Sequence, residues 1–396
     1  MNNKVKVLHV VDKFGVNGSS VTGVGRLFSW WIPRFDTSRY DVRLVGLRAH
    51  DTSAAQLAAT GVAVDCLGKG KFEPSTAAAL RKLVRDFVPD IVHLHGYGAT
   101  NFGRLSTRGL PVRIVVHEHF VDPHMPMYQQ IADYVLSPIT DAAIAVSESV
   151  RQFMIAQRKL PEAKVEVIYN GAPLADFQPV AAERAAEERQ RWGIPADARV
   201  IGTIGRLDEQ KGLTYLLEAA ALLCSTGLDV RYVNVGDGPL LEPLKRQAAN
   251  YGIADRVIFT GYSSDTRALQ TTFDVQAFPS LWEGTPLTVF EAMAMGKPIV
   301  STYVDGLGEV LEEAATPCSF HLAIRSRCPS VFACCSRTTR RPRHSAGKRQ
   351  RTAAATTSTR RSGRCRRSTS GCCRTSRPTR KPSRHNGERP RSARHA

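Results

Sequence analysis

From residue 4 to about residue 302, short runs rich in β-branched apolar residues alternate with longer stretches of helical spacing. The runs predict strands at residues 6–11, 42–47, 90–94, 112–116, 142–146 and 165–168. A connection bearing Pro and Ala follows at residues 171–180, and a second set of strands is predicted at 200–204, 230–235, 257–259, 275–278 and 298–301. Between them lie patterns such as Leu213, Leu216, Leu217, Ala220 and Leu223, which place one apolar face on a helix. Strand and helix alternating in two blocks of similar size predict an α/β protein of two doubly wound parallel-sheet domains facing a cleft. The boundaries expected are residues 1–172 for the first, 173–313 for the second and 314–396 for a tail of different character. In open sheets of this kind ligands bind beyond the carboxyl ends of the strands, so chemistry is sought in the loops there.

Charge changes the picture only at the tail. The formal net charge is +18, but residues 318–396 hold 22 of the 54 Lys and Arg and only Glu388 among the 36 acidic residues. The body is therefore a near-neutral, slightly acidic chain. Of the nine cysteines, only Cys66 and Cys224 lie in the body, which fits reduced, isolated thiols and neither a disulfide framework nor a metal site. The apolar run at 7–11 ends at Asp12 and is too short for a secretory signal. No stretch of about 18 apolar residues appears, so a cytoplasmic protein is expected, with any membrane contact peripheral, on the inner face.

The most informative segment is Phe278-Pro-Ser-Leu-Trp-Glu283-Gly284-Thr285-Pro286-Leu287-Thr-Val-Phe-Glu291, closing at Gly296. A strand enters a loop holding Glu283, and Thr285 and Pro286 read as a cap followed by proline at the first helical position. That geometry aims free N–H groups and a positive helix end at the loop, which suits a diphosphate or sugar hydroxyls. Glu291 is a bidentate acceptor suited to a cis-diol such as ribose. In this grammar the segment resembles the paired-glutamate motif of the large retaining glycosyltransferase family (family four, glycosyl transferases group 1), whose members have the GT-B architecture.

Further matches follow in order. Gly205-Arg206-Leu207-Asp-Glu-Gln-Lys211-Gly212 resembles the family's Arg and Lys pair that clamps the donor diphosphate. Two fixed cations can stabilise a departing nucleoside diphosphate as it gains charge, so no metal and no cofactor are expected. The resemblance implies donor contacts from Arg206, Lys211, Gly284, Thr285, Pro286, Leu287 and Glu291, with Tyr262 near the base. It also implies that Glu283 and His119, which ends the run Val112 to Val116, His117, Glu118, lie against the transferred sugar. Histidines 117, 119 and 124 lack the carboxylate pattern of a metal site. In the first loop, Gly23 and Arg26 are placed at the acceptor; the family's usual acid is missing beside Arg26. The activity implied is hexosyl transfer, with retention, from a nucleotide-sugar donor to a sugar, lipid-linked or other hydroxyl acceptor, as in cell-surface polysaccharide synthesis.

The resemblance stops near residue 312. Residues 314–326, back-translated with permissible codons and read one base earlier, can give Gly-Asn-Ala-Leu-Leu-Val-Pro-Pro-Arg-Asp-Pro-Glu, which is what the family has there. The tail is thus read as a frameshift product, disordered because its composition cannot bury a core, and leaving the second domain incomplete and the chain's competence in question. Apolar surface near Ile299 and Val310 would then be exposed. Two rival functions are an arginine-rich nucleic-acid-binding protein on a degenerate scaffold and a sugar-nucleotide epimerase of the same fold. The adjacent pairs Cys334-Cys335 and Cys372-Cys373 argue against a specific nucleic-acid arm.

Overall fold

The computed structural model describes residues 4–16, 20–313 and 321–324. The frameshift and disorder expected of residues 314–396 fall outside these, apart from the one strand at 321–324. The first lobe has strands β1 (Val5–Val11), β2 (Gly15–Val16), β3 (Ser20–Val21), β4 (Tyr40–Gly46), β5 (Ala63–Cys66), β6 (Ile91–His95), β7 (Arg113–Glu118), β8 (Ala142–Ala145) and β9 (Val165–Val167). Its helices are α1 (Gly23–Trp31), α2 (Thr52–Ala58), α3 (Ser75–Phe87), α4 (Tyr97–Thr107), α5 (Met127–Leu136) and α6 (Glu148–Ala156). In the second lobe the strands are β10 (Arg199–Ile204), β11 (Val230–Val235), β12 (Val257–Gly261), β13 (Val275–Phe278), β14 (Ile299–Thr302) and β15 (His321–Ile324). Its helices are α7 (Ala182–Arg191), α8 (Leu213–Cys224), α9 (Leu241–Asn250), α10 (Arg267–Thr271), α11 (Leu287–Ala294) and α12 (Asp305–Glu313).

Both large sheets are parallel throughout, in the orders β5-β4-β1-β6-β7-β8-β9 and β12-β11-β10-β13-β14-β15. Each order reverses direction beside its first strand, so crevices open between β1 and β6 and between β10 and β13. Every strand predicted from the sequence is present. The additions are the edge strand β5, the small β2–β3 hairpin and β15, which pairs with β14 beyond the predicted end of the second domain at residue 313. The edge strand Ala63–Cys66, with Val64 flanked by Ala63 and Asp65, is half covered and carries a weak hydrophobic signal.

Burial follows the two periods. On one face of the first sheet Leu8, Val10, Val92, Leu94 and Val116 pack with Leu80 and Val84 of α3 and Val150 and Met154 of α6. The other face sets Val11 and Leu44 with Phe28 of α1 and Leu57 of α2. In the second lobe Leu216, Leu217 and Ala220 of α8 cover Val230 and Tyr232. Ile299 and Val310, expected at an exposed edge, are instead buried with Phe278, Val289 and Leu307, because α11 and α12 both close over β14.

Behind the end of β7 sits a fully buried ionic group. Arg104 Nη1 is 2.7 Å from Asp133 Oδ1 and Arg158 Nε is 2.9 Å from Asp133 Oδ2, while Arg158 also pairs with Glu118. Gln129 Nε2 donates to Asp133 at 2.9 Å. Such a cluster fixes geometry more than it adds stability, since its charges must all be desolvated.

Candidate active site

The crevice between β10 and β13 gathers residues from the loops that follow both strands. Arg206 and Lys211 line one pocket there with Gly205, Pro279 and Ser280, at the carboxyl ends of both strands. The loop after β10 is tied to the loop after β13: Leu281 N donates to Gln210 O at 2.8 Å and Gln210 Nε2 to Trp282 O at 3.1 Å. Gly212 makes this close approach possible. Its φ is +59°, and a Cβ there would lie 2.1 Å from the Pro279 carbonyl oxygen.

Glu283 is buried, and three groups converge on its carboxylate. Ser280 Oγ donates at 2.8 Å, Gln210 Nε2 at 3.3 Å, and Lys211 Nζ forms a short ion pair with Oε1. Its backbone N–H donates to Asp305 Oδ2 at 2.9 Å. Lys211 is thus held against Glu283 from across the crevice, whereas Arg206 remains half exposed with Asp208 at 3.6 Å as its ionic neighbour. Burial raises the Asp208 carboxyl despite the nearby Lys211 and Arg206 cations.

The helix carrying Glu291 begins differently from the expectation. Pro286 is the cap residue and Leu287 the first helical one, and the Thr285 hydroxyl is buried without a partner among the described residues. The physical reason lies in Pro286, whose extended ψ of 131° keeps it outside the helix. Thr285 instead contributes its carbonyl, which accepts from Asn170 Nδ2 at 3.2 Å.

Glu291 is fully buried. Arg26 Nη2 of the first lobe lies 3.0 Å from its Oε1, but the N–H direction does not meet hydrogen-bond geometry, and neither carboxylate oxygen has such a bond among the described residues. Burial pushes its carboxyl up to about 7, with Arg26 pulling the other way. A buried acceptor pair left open in this way matches a ligand that brings two hydroxyl donors.

Arg26 also spans the rings of Trp30 and Phe177. Gly25, Arg26, Trp30, Phe177 and Tyr262 line a pocket of about 460 Å³ between the lobes. Gly23, by contrast, is the first residue of α1, faces open space and does not line that pocket. Thr22 caps α1 by accepting from Gly25 N at 2.9 Å. Arg26, expected at the acceptor, reaches across to Glu291 of the second lobe.

The lobes meet where Gly284 faces His119: a Cβ on Gly284 would lie 2.0 Å from the His119 carbonyl oxygen. Nearby, Glu309 of α12 accepts from Glu148 N at 2.7 Å and Ser149 N at 2.8 Å, capping α6 of the first lobe. The His119 ring is one of five. His9, His93, His95, His117 and His119 lie on one face at the ends of β1, β6 and β7, in register pairs His9 with His93 and His95 with His117. Of these the sequence reading found only His117 and His119; the i, i+2 spacing of His93 and His95 was the available signal. Ser280, Gln210 and Asp305 were also missed, because only the folded loops bring them to Glu283.

Two family models match the two lobes in turn. Residues 21–176 match "Glycosyltransferase Family 4" and residues 185–321 match "Glycosyl transferases group 1". EpsF of Bacillus subtilis, assigned to the glycosyltransferases, is 30% identical over 320 residues, covering 76% of this chain and 80% of that protein. The chain is a glycosyltransferase of the GT-B fold. An Escherichia coli UDP-Gal:alpha-D-GlcNAc-diphosphoundecaprenol alpha-1,3-galactosyltransferase is 28% identical over 58% of this chain and 61% of its own length. Among solved structures, Anabaena HepE in complex with UDP and glucose superposes with a TM-score of 0.70 at 21% identity, over 84% of this chain and 90% of that one. Described residues of this glycosyltransferase include no helix long and apolar enough to cross a membrane.

Proposed function

We propose that the chain transfers a hexosyl group, with retention of configuration, from a nucleoside-diphosphate sugar to a hydroxyl acceptor. The observation that carries this is the shared crevice of Arg206 and Lys211 at the β10/β13 reversal, roofed by the Glu283 loop. In this reading the two cations hold the diphosphate and replace a bound metal as the leaving group gains charge. Glu291 accepts from the ribose hydroxyls once Arg26 yields, Tyr262 lies against the base, and Glu283 with the 284–287 backbone holds the sugar. His119 forms the opposite wall, and Arg26 with the neighbouring Gly23 turn stands on the acceptor side. Retention rests on the family resemblance. The galactosyltransferase named for UDP-Gal supports a nucleotide-sugar donor, and its diphosphoundecaprenol acceptor supports a lipid-linked acceptor in cell-surface polysaccharide synthesis.

Peripheral membrane contact belongs to the same reading. Helix α5 exposes Met127, Tyr128, Ile131, Tyr134 and Val135, and Phe72 packs edge-on against Tyr128 at 5.5 Å. An apolar face of this kind fits the boundary of a lipid surface. Co-sedimentation with anionic vesicles, abolished by Ile131→Glu with Tyr134→Glu, tests it.

The frameshift reading is retained as part of the proposal. The chain carrying residues 314–396 in the alternative frame transfers faster than the chain as it stands, and the nucleotides following the Glu313 codon decide the point. The principal test is transfer from UDP-, GDP- and ADP-sugars with and without a chelator. Transfer that survives chelation supports the cation pair; a strict divalent requirement removes it.

A further inference from the structure

The five histidines at the strand ends are more than a stack. His9 Nδ1 lies 3.1 Å from His95 Nε2, and His95 Nδ1 lies 3.0 Å from His119 Nε2. Both nitrogens of His95 are therefore engaged, and the three rings form one chain from buried His9 of β1 to the half-buried ring of His119, whose backbone carbonyl meets the Gly284 loop. Each ring in the cluster is buried deeply enough to stay neutral at pH 7: burial and neighbouring histidines hold His9 and His95 well below the usual range, and burial takes His119 to about 3. A neutral imidazole carries one N–H and one bare nitrogen, so the chain has two self-consistent directions.

The inner end distinguishes them. If protons run outward, His9 donates from Nδ1, its Nε2 is bare, and His119 is left with its proton on Nδ1. If they run inward, His9 carries its proton on Nε2, a buried atom with no partner among the described residues. A stranded buried donor is costlier and rarer than a stranded lone pair. At the outer end, His119 Nδ1 has no hydrogen-bond partner among the described residues, and the residue abuts the Gly284 loop.

We propose that His9, His95 and His119 form a one-directional hydrogen-bonded chain in which His95 is a positioning residue that locks His119 as the Nδ1–H tautomer, presenting a proton donor to a sugar hydroxyl in the cleft. The last step rests on the reading above that His119 faces the transferred sugar; the tautomer itself does not. Metal ligation is the competing use of the same atoms. The ring nitrogens of His9, His93 and His95, and of His95, His117 and His119, lie within 4.8 Å of one another. His9, His95 and His119 nevertheless stack, at 29° and 22°, and direct the nitrogens between them at each other, whereas His93 Nε2 and both nitrogens of His117 have no partner among the described residues, so metal content is measured alongside the tautomer.

The test is long-range proton–nitrogen NMR on the full chain labelled at histidine, without donor. His119, assigned by loss of its signals in His119→Gln, is expected to show a protonated Nδ1 and a bare Nε2. In His95→Phe the same ring is expected to revert towards the Nε2–H tautomer that free imidazole side chains prefer. Turnover in that variant should fall roughly ten- to a hundredfold, with the donor KM little changed. A wild-type His119 protonated on Nε2 overturns the proposal, as does a tautomer unmoved in a folded His95→Phe. Stoichiometric metal on the purified protein, with these nitrogens shifted on its removal, overturns it too. Where His95→Phe does not fold, the wild-type tautomer alone decides. Failure of donor binding by calorimetry would sink the functional reading and leave the tautomer result standing, so the two failures are separable.

Discussion

Replacing Glu291 by Gln separates what this carboxylate costs the fold from what it offers a ligand. The side chain is fully buried and its carboxyl is pushed up from 4.5 to about 7, burial outweighing the attraction of Arg26. Below pH 4.5 the folded and unfolded states both hold the proton. Between 4.5 and about 7 the folded protein keeps a proton that the unfolded chain has released, so stability falls as pH rises through this window and levels off above it. The gap corresponds to about 3 kcal/mol, because each unit is worth about 1.4 kcal/mol. Gln is neutral at every pH and of nearly the same shape. Glu291→Gln is therefore expected to match the parent near pH 4.5 and to exceed it by about 3 kcal/mol at pH 8.

Urea unfolding at the two pH values, followed by the tryptophans, measures this difference directly. The same variant should bind a nucleotide sugar about tenfold to a hundredfold more weakly, since the Gln amide oxygen still accepts from one hydroxyl and a single hydrogen bond to a charged acceptor, at roughly 1.5–3 kcal/mol, is lost. A variant that is more stable and binds less well is the signature of a group kept for its ligand at the expense of the fold. An equal displacement of the urea midpoint at both pH values would refute the reasoning, and so would a loss of stability at pH 8. Either result would mean that Arg26 fully compensates the carboxylate, leaving no open acceptor for a diol.

Other consequences can be checked alongside. Lys211→Met should lower kcat/KM about a hundredfold, since one fixed donor to the developing charge is lost; unchanged kcat/KM in chelator would remove Lys211 from the diphosphate site. Gly284→Ala places a methyl group 2.0 Å from the His119 carbonyl oxygen and 2.9 Å from Val146 Cγ2, so the lobes must part. Transfer should be lost, and small-angle scattering should show a more open particle, while equal activity would mean that the contact is not made in the working enzyme. Asp133→Asn leaves two buried guanidinium groups short of charge and should cost about 3–5 kcal/mol, read from the urea midpoint. For the parent, burial raises the Asp133 carboxyl but Arg158, Gln129 and Arg104 outweigh it and hold it low. Its contribution is therefore present above the ordinary aspartate range and fades as pH falls through the lowered value, a fade that should be missing from the acid unfolding of Asp133→Asn.

What the sequence made legible was local. Strand runs, helical periods and the cap-like Thr285-Pro286 pair are each set within a few residues, and the two parallel sheets follow from their alternation. The cap itself shows the limit: Thr285 and Pro286 sit at the helix start, but residue type alone does not fix whether proline takes a helical ψ, and in the fold its extended ψ of 131° leaves it just before the first turn. Contacts that join distant loops were beyond reach for the same reason. No spacing relates Arg26 to Glu291, or Asp305 to the Glu283 N–H, until two sheets have closed on each other.

The histidines occupy the middle ground. His93 and His95 alternate on one strand, and alternation alone puts both rings on one face. Their neighbours are decided by strand order, which brings β1 and β7 to either side of β6 and sets His9 beside His93 and His117 beside His95. A period of two read together with the usual reversal of a doubly wound sheet would have grouped these rings before any coordinates. It would not have given the direction of the hydrogen bonds among them. That direction turns on one unpartnered nitrogen of His9 at the closed end of the chain, which is why the tautomer at the open end is a property of the packed core and not of the motif that carries His119.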